Sequence, residues 1–141
     1  MAGPVVVAAA VVIDGDRVLL TQRPSGTHLA GAWEFPGGKL EEHEGPEAAL
    51  VRELREELGV ESEVGEVLDV TWWRYPTKSV LLLFYRARIT AGTIAHLGVA
   101  DHVWARREDL DGYTFPDADV AVLGKIRALL DAAGRRPSAP T

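Results

Sequence analysis

The sequence contains no cysteine and one methionine among 141 residues. The first absence excludes disulfides and thiolate metal sites, so any metal chemistry must rest on oxygen or imidazole ligands. Basic residues are also short, 15 Lys and Arg against 21 Asp and Glu, for a formal net charge of -6. That balance argues against a nucleic-acid polymer as partner, which needs a basic stripe to displace counterions. An anionic small molecule is not excluded if a cation sits between the two. Long hydrophobic runs are missing as well: the longest, Val5 to Ile13, is nine residues and follows no basic leader. It is too short to span a bilayer and unlike a signal peptide. We therefore expect a cytoplasmic protein with no membrane partner, monomeric or homodimeric.

What is present reads as one ordinary domain, with 47% hydrophobic and 26% charged residues. The domain is expected over residues 1–133, and the Pro-, Arg- and Ser-rich residues 134–141 are expected to form a flexible tail. The acidity is concentrated: residues 41–69 hold eleven acidic side chains and only Arg52 and Arg55 as bases, a local charge of -9. Everything outside this block sums to +3. Such blocks are solvated faces or cation sites.

Along the chain, β-branched Val5–Ile13 predicts a buried strand, with Asp14-Gly15-Asp16 turning into a second strand over 17–23. A short strand is predicted at Ala32–Phe35, stopped by Pro36-Gly37-Gly38. Pro46 and Glu47 open a helix that should end at Leu58 with Gly59 as its left-handed cap. Strands follow at 64–75, 78–89 and 102–105, and a last helix at 117–133 with apolar Val120, Val122, Leu123, Ile126, Leu129 and Leu130. Strands mixed with two helices predict an α/β domain.

The first helix carries the chemistry. At about 100° per residue, Leu50, Val51, Leu54 and Leu58 form an apolar stripe, and Glu53, Glu56 and Glu57 cluster beside it. Carboxylates three and four residues apart repel by about 0.2–0.5 kcal/mol per pair. A hard cation offsets this, and Mg2+ or Mn2+ suits carboxylate oxygens. On composition alone, a solvated helix with Arg52 and Arg55 as counterions remains the competing reading.

The spacing decides between them. Gly38, five residues, Glu44, seven residues, then Arg52-Glu53-Leu54-Arg55-Glu56-Glu57-Leu58-Gly59-Val60 resembles the signature of the Nudix hydrolases at every defined position. Gln22-Arg23-Pro24, Trp33-Glu34-Phe35-Pro36-Gly37-Gly38-Lys39 and Phe115-Pro116-Asp117-Ala118-Asp119 are similar to the MutT-like branch of that family. The resemblance implies a Nudix fold, a mixed β-sheet sandwiched between helices. It also implies Mg2+-dependent hydrolysis of nucleoside triphosphates to monophosphate and pyrophosphate, in nucleotide-pool sanitisation.

By the same resemblance, Glu53, Glu56 and Glu57 are the metal-binding carboxylates, with the Gly38 carbonyl a further ligand. Glu44 approaches from the loop, and Arg52 orients the carboxylates. Arg23 and Lys39 are phosphate contacts, Gly37 and Gly38 shape the loop, and His28 borders the substrate. Phe35 covers the base with its ring, and Trp72, Trp73 and Tyr75 are candidate stacking residues. The other histidines read as packed or surface residues. Asp119 stands where 8-oxoguanine-specific relatives carry asparagine. An ionised aspartate only accepts hydrogen bonds, which suits the exocyclic amine of cytosine, whereas burial would restore a proton and a donor. Either Asp117 or Asp119 could instead cap the last helix.

One departure stands out: a glutamate of such relatives is replaced by Gly98. The general base is then Glu53 or Glu57, or Asp101 or His102 moves in. The substrates implied are 8-oxo-dGTP or the cytosine nucleotides CTP, dCTP and 5-methyl-dCTP. The alternatives are a non-catalytic nucleotide-binding module and a hydrolase of another nucleoside diphosphate-linked substrate.

Overall fold

A computed structural model of the chain describes residues 3–134. Seven strands and three α-helices follow the order β1 (Val5–Asp14), β2 (Arg17–Gln22), β3 (Trp33–Glu34), β4 (Gly37–Lys39), α1 (Pro46–Leu58), β5 (Glu61–Tyr75), β6 (Lys78–Ala91), β7 (Asp101–Arg106), α2 (Asp117–Val120) and α3 (Leu123–Gly134). A 3-10 turn spans Arg107–Gly112 between β7 and α2.

β1 is the organising strand. It pairs parallel with β6 along one edge, from Val5↔Val80 to Val12↔Ala87. Its other edge is shared: β4 pairs antiparallel with Val7–Ala9, and β2 with Ile13 and Asp14. β2 in turn carries β3 and β7, and β5 pairs antiparallel with β6. A strand covered on both faces must be apolar at every position rather than alternating, which explains the run Val5–Ile13. Ala8, Ala10 and Val12 pack toward α1 with Leu19, Leu50, Leu54, Leu58 and Val60. Ala9 and Val11 pack on the opposite side with Phe84, Val122, Ile126 and Leu130. The result is the expected mixed sheet between helices.

Helix α1 begins as the sequence predicts. Pro46 sits in its first turn, and Gly59 ends it with φ 69°, its N–H donating to the Arg55 and Leu54 carbonyls. Its buried face is Ala49, Leu50, Leu54 and Leu58, with Ala49 taking the place expected of Val51, which is only partly buried.

Two local expectations are corrected. The short strand does stop before Pro36, but Gly37–Lys39, expected only as its stop, themselves form β4 on the β1 edge. A Cβ on Gly37 would lie 2.0 Å from the Ala8 carbonyl oxygen, so this pairing demands glycine. The last helix is broken after Val120, and Val120, expected on its apolar face, is turned out to 53% exposure while Ala118 and Asp119 are buried. Most of the expected tail, residues 135–141, lies outside the described residues. Among the described residues no helix is long and apolar enough to cross a membrane.

Leu54 is fully buried at the centre of the α1 face. Leu54→Ala should lower unfolding free energy by about 2–5 kcal/mol in urea titrations. A loss under about 1 kcal/mol would show that α1 is not the wall of this core.

Candidate active site

Arg52 is the centre of the acidic block. Its Nε and Nη2 donate to the two oxygens of Glu44 at 2.8 and 2.9 Å. Nη1 donates to Glu53 at 2.9 Å and Glu56 at 3.1 Å, and Nη2 also donates to the Lys39 carbonyl at 3.1 Å. Glu41 lies 3.5 Å from Nη1. A planar guanidinium can hold this many acceptors in fixed directions, which an ammonium cannot. Helix α1, the preceding loop and β4 are thereby fastened together at one side chain. The hydrogen bonds from Arg52, with one from the Glu41 N–H, hold the Glu44 carboxyl down at about 2. The carboxylates in turn push Arg52 up, Glu44 first.

One cation among four carboxylates leaves a negative surplus, and it appears at Glu57. Burial pushes the Glu57 carboxyl well above the usual carboxylate range, reinforced by the negative charges of Glu53 and Glu34 and by a hydrogen bond to Glu53. A buried carboxyl raised by a neighbouring carboxylate marks a site where a positive charge is favoured. Gly38 opens the space beside them: a Cβ there would fall 2.5 Å from the Glu53 carboxyl carbon.

Glu53 and Glu57 line a cavity of about 430 Å³. Arg23, His28, Phe35, Gly37, Gly38, Lys39 and Asp119, all anticipated from sequence, line it as well. Asp119, in the same lining, is 6% exposed, and its carboxyl is pushed up to about 8 by burial and then by the negative charge of Glu34, against a lowering by Arg23. Arg23 is already engaged: Nη1 donates to Glu34 at 3.1 Å and Nε to the His28 carbonyl. Glu34 is nonetheless raised, because desolvation outweighs its pairing with Arg23. His28 stands edge-on to Tyr75 with ring centroids 5.8 Å apart, and Tyr75 Oη accepts from the Ala118 N–H at 3.4 Å.

Other anticipated residues fall elsewhere. Arg52, Glu44 and Glu56 do not line the cavity and meet it through the Arg52 network. Phe35 lines the cavity, but the residue is only 3% exposed, with its ring stacked on Phe115 at 5.6 Å and edge-on to Phe84. Trp72 and Trp73 are 57% and 38% exposed and outside the cavity, leaving Tyr75 as the lining aromatic of the three. Neither Asp117 nor Asp119 caps α2, whose N-cap is Pro116 with no side-chain bond. Asp101 and His102 do not line the cavity, and each has a partner in His96. The Gly98 N–H donates to the Glu57 carbonyl at 3.1 Å, and a Cβ there would meet Glu57 Cγ at 3.1 Å.

Sequence reasoning missed two charged lining residues, Glu34 and Lys78. Lys78 had a signal: the two-residue turn Pro76-Thr77 places it directly across from Tyr75. Glu34 had one too, as an acid flanked by two aromatics in a strand facing Thr21.

Comparison with known proteins agrees with this geometry. Residues 3–128 match the NUDIX domain family. The chain is 39% identical over 124 residues to the CTP pyrophosphohydrolase of Escherichia coli, covering 88% of this chain and 91% of that protein. It is 44% identical over 80 residues to an 8-oxo-dGTP diphosphatase of Proteus vulgaris, covering 56% and 71%. Among solved structures, the Escherichia coli ORF135 protein superposes with TM-score 0.77 at 34% identity, covering 97% of this chain and 96% of that one. A MutT NUDIX hydrolase from Burkholderia pseudomallei superposes with TM-score 0.80 at 26% identity, covering 89% and 99%. With an arginine-tied carboxylate helix at the mouth of a base-sized cavity, this chain belongs to the Nudix hydrolase family, in its MutT-like branch.

Proposed function

We propose that the protein hydrolyses nucleoside triphosphates to nucleoside monophosphate and pyrophosphate with a divalent cation, Mg2+ first and Mn2+ as a substitute. The observation that carries this reading is that a single cavity joins the Glu53–Glu57 carboxyl pair to the buried polar group of Asp119. The first suits a metal with its phosphates, and the second suits a base edge.

The donor set fits the cation. Glu53, Glu56 and Glu57, with the Gly38 carbonyl, are all hard oxygen donors, and the raised Glu57 carboxyl marks a site short of positive charge. When bound, a divalent cation neutralises phosphate charge and lowers the pKa of a coordinated water. The protein's own groups do the rest. Arg52 holds Glu53 and Glu56 in position, while Lys39 and Lys78 place ammonium groups at the cavity wall for the phosphates. Glu57, buried beside Glu53 and ionised once a cation is bound, is the group we assign to take a proton from water, the role left open by Gly98.

Asp119 reads the base. Buried and pushed up to about 8, it is a neutral acid near pH 7, able to donate as well as accept. In that form it resembles asparagine and suits 8-oxoguanine, whereas the ionised form suits the amine of cytosine. The relatives named for 8-oxo-dGTP and for CTP are both accommodated by this one group in two protonation states.

Pyrophosphate release should be measured from 8-oxo-dGTP, dGTP, CTP, dCTP and 5-methyl-dCTP with Mg2+. The wild type should turn over an 8-oxoguanine or cytosine nucleotide, and Glu53→Gln should lower kcat by about 10²–10⁴-fold. No turnover of any nucleotide, or an unaffected variant, contradicts the proposal.

Asp119 also makes a pH prediction. Its folded pKa lies above its unfolded value, so the stability it contributes is complete below about pH 4 and is lost as pH rises through about 8. The thermal midpoint of the metal-free protein should fall across that window, and Asp119→Asn should flatten the fall. The ratio of 8-oxo-dGTP to dCTP turnover should fall over the same range in the wild type and stay level in the variant. Parallel profiles for the two proteins would remove Asp119 from base recognition.

A further inference from the structure

A cluster of metal-ligating side chains lies outside the cavity. His96, in the segment between β6 and β7, places Nε2 2.7 Å from Nδ1 of His102 and 3.6 Å from Oδ1 of Asp101. One ligand atom from each of the three residues can be chosen so that all lie within 4.8 Å of one another. Asp101 Oδ1 also accepts from the His102 N–H at 2.8 Å, which fixes the carboxylate against its own strand. The ring centroids are 5.0 Å apart at 62°, so the two nitrogens converge rather than the ring faces stacking.

We propose that His96 Nε2, His102 Nδ1 and Asp101 Oδ1 bind a divalent transition-metal ion of the zinc class, separate from the carboxylate site and independent of the nucleotide reading. Two imidazoles and a carboxylate are a borderline donor set that selects Zn2+, Co2+, Ni2+ or Cu2+ over Mg2+. The distances need little adjustment. Zinc–nitrogen bonds of about 2.0–2.1 Å in a tetrahedron put two nitrogens about 3.3 Å apart. The rings must therefore separate by roughly half an ångström, and the ion takes the place of the one proton that now lies between them. His96 and Asp101 are exposed at 41% and 56% of their side chains, so the ion has an entry path and an open fourth position.

The ion would act as a staple. Asp101 and His102 belong to β7, whereas His96 belongs to a segment whose N–H groups finish the catalytic helix: Ala95 donates to the Leu58 carbonyl at 2.9 Å, and Leu97 and Gly98 to the Glu57 carbonyl at 3.0 and 3.1 Å. Tying His96 to β7 therefore steadies the cap of α1 at the residue that carries the Glu57 carboxyl.

Zinc affinity should be measured on the full chain by competition with a chromophoric chelator, in millimolar Mg2+ to occupy the oxygen site. The wild type should bind one Zn2+ per chain, with a rise in thermal midpoint as expected for a ligand of the native state. Loss of an outer-shell partner alone costs metal sites about 10–100-fold. His96→Ala and His102→Ala should thus weaken zinc by more than about 100-fold and abolish the thermal shift. Bound Co2+ should show the intense visible bands of a four-coordinate site in the wild type and lose them in His96→Ala. His96 is exposed on a connecting segment, so its variant stays folded and decides the matter if His102→Ala does not. Zinc that is displaced by Mg2+, or retained equally by His96→Ala, overturns the proposal.

Discussion

One guanidinium sets the terms for the whole site. Arg52 binds both oxygens of Glu44, one each of Glu53 and Glu56, and the Lys39 carbonyl. Removing any of these partners would leave charged donors or acceptors partly unsatisfied, which costs more than the bonds themselves contribute. The loop at Glu44, the strand at Lys39 and the helix at Glu53 and Glu56 are therefore not three independent placements. They are one arrangement, and the surplus of negative charge it leaves is what calls for a cation.

The fold delivers the parts to that arrangement through the two faces of β1. Ala8 and Ala10 are small enough for α1 to lie close, with Leu50, Leu54 and Leu58 wholly buried against them. On the β1 edge, Ala8 and Ala9 pair with Gly38 and Gly37, bringing the Gly38 backbone beside Glu53. The opposite face packs the helix that follows Asp119, so Asp119 and the carboxylates of α1 meet over the same strands. The β1 backbone requires glycine at 37, and the missing Cβ at 38 leaves the Glu53 carboxylate its place.

Much of this was legible in advance, and the reasons differ by residue. The helix 46–58, its Gly59 cap and its glutamate cluster were visible because capping, helical period and charge spacing are local properties. The role of β1 was visible because burial on both faces leaves a continuous apolar run. β4 was hidden, since Gly37-Gly38 carries no side-chain pattern and its pairing depends on backbone contact with a strand some thirty residues earlier. The packing of Phe35 depends on Phe84 and Phe115, distant in sequence, so its aromatic cluster could not be read in advance. The meeting of His96 and His102 was likewise invisible, because it depends on how the segment between them folds back on the end of α1. The break between α2 and α3 was hidden too, since Ile126 and Leu130 lie seven and eleven residues after Asp119 and share its helical face, so no change of pattern marks the break.

If Arg52 positions the carboxylates, its removal harms metal binding even though it is itself a cation. Coulomb's law taken alone says the opposite, since deleting a positive charge from the cluster should tighten a divalent ion. The deciding measurement is Mn2+ affinity by electron paramagnetic resonance for the wild type and Arg52→Gln, with circular dichroism confirming that both are folded. Positioning predicts affinity lower by about 10–100-fold in the variant, as for other outer-shell losses. Unchanged or tighter binding would contradict the central role given to Arg52.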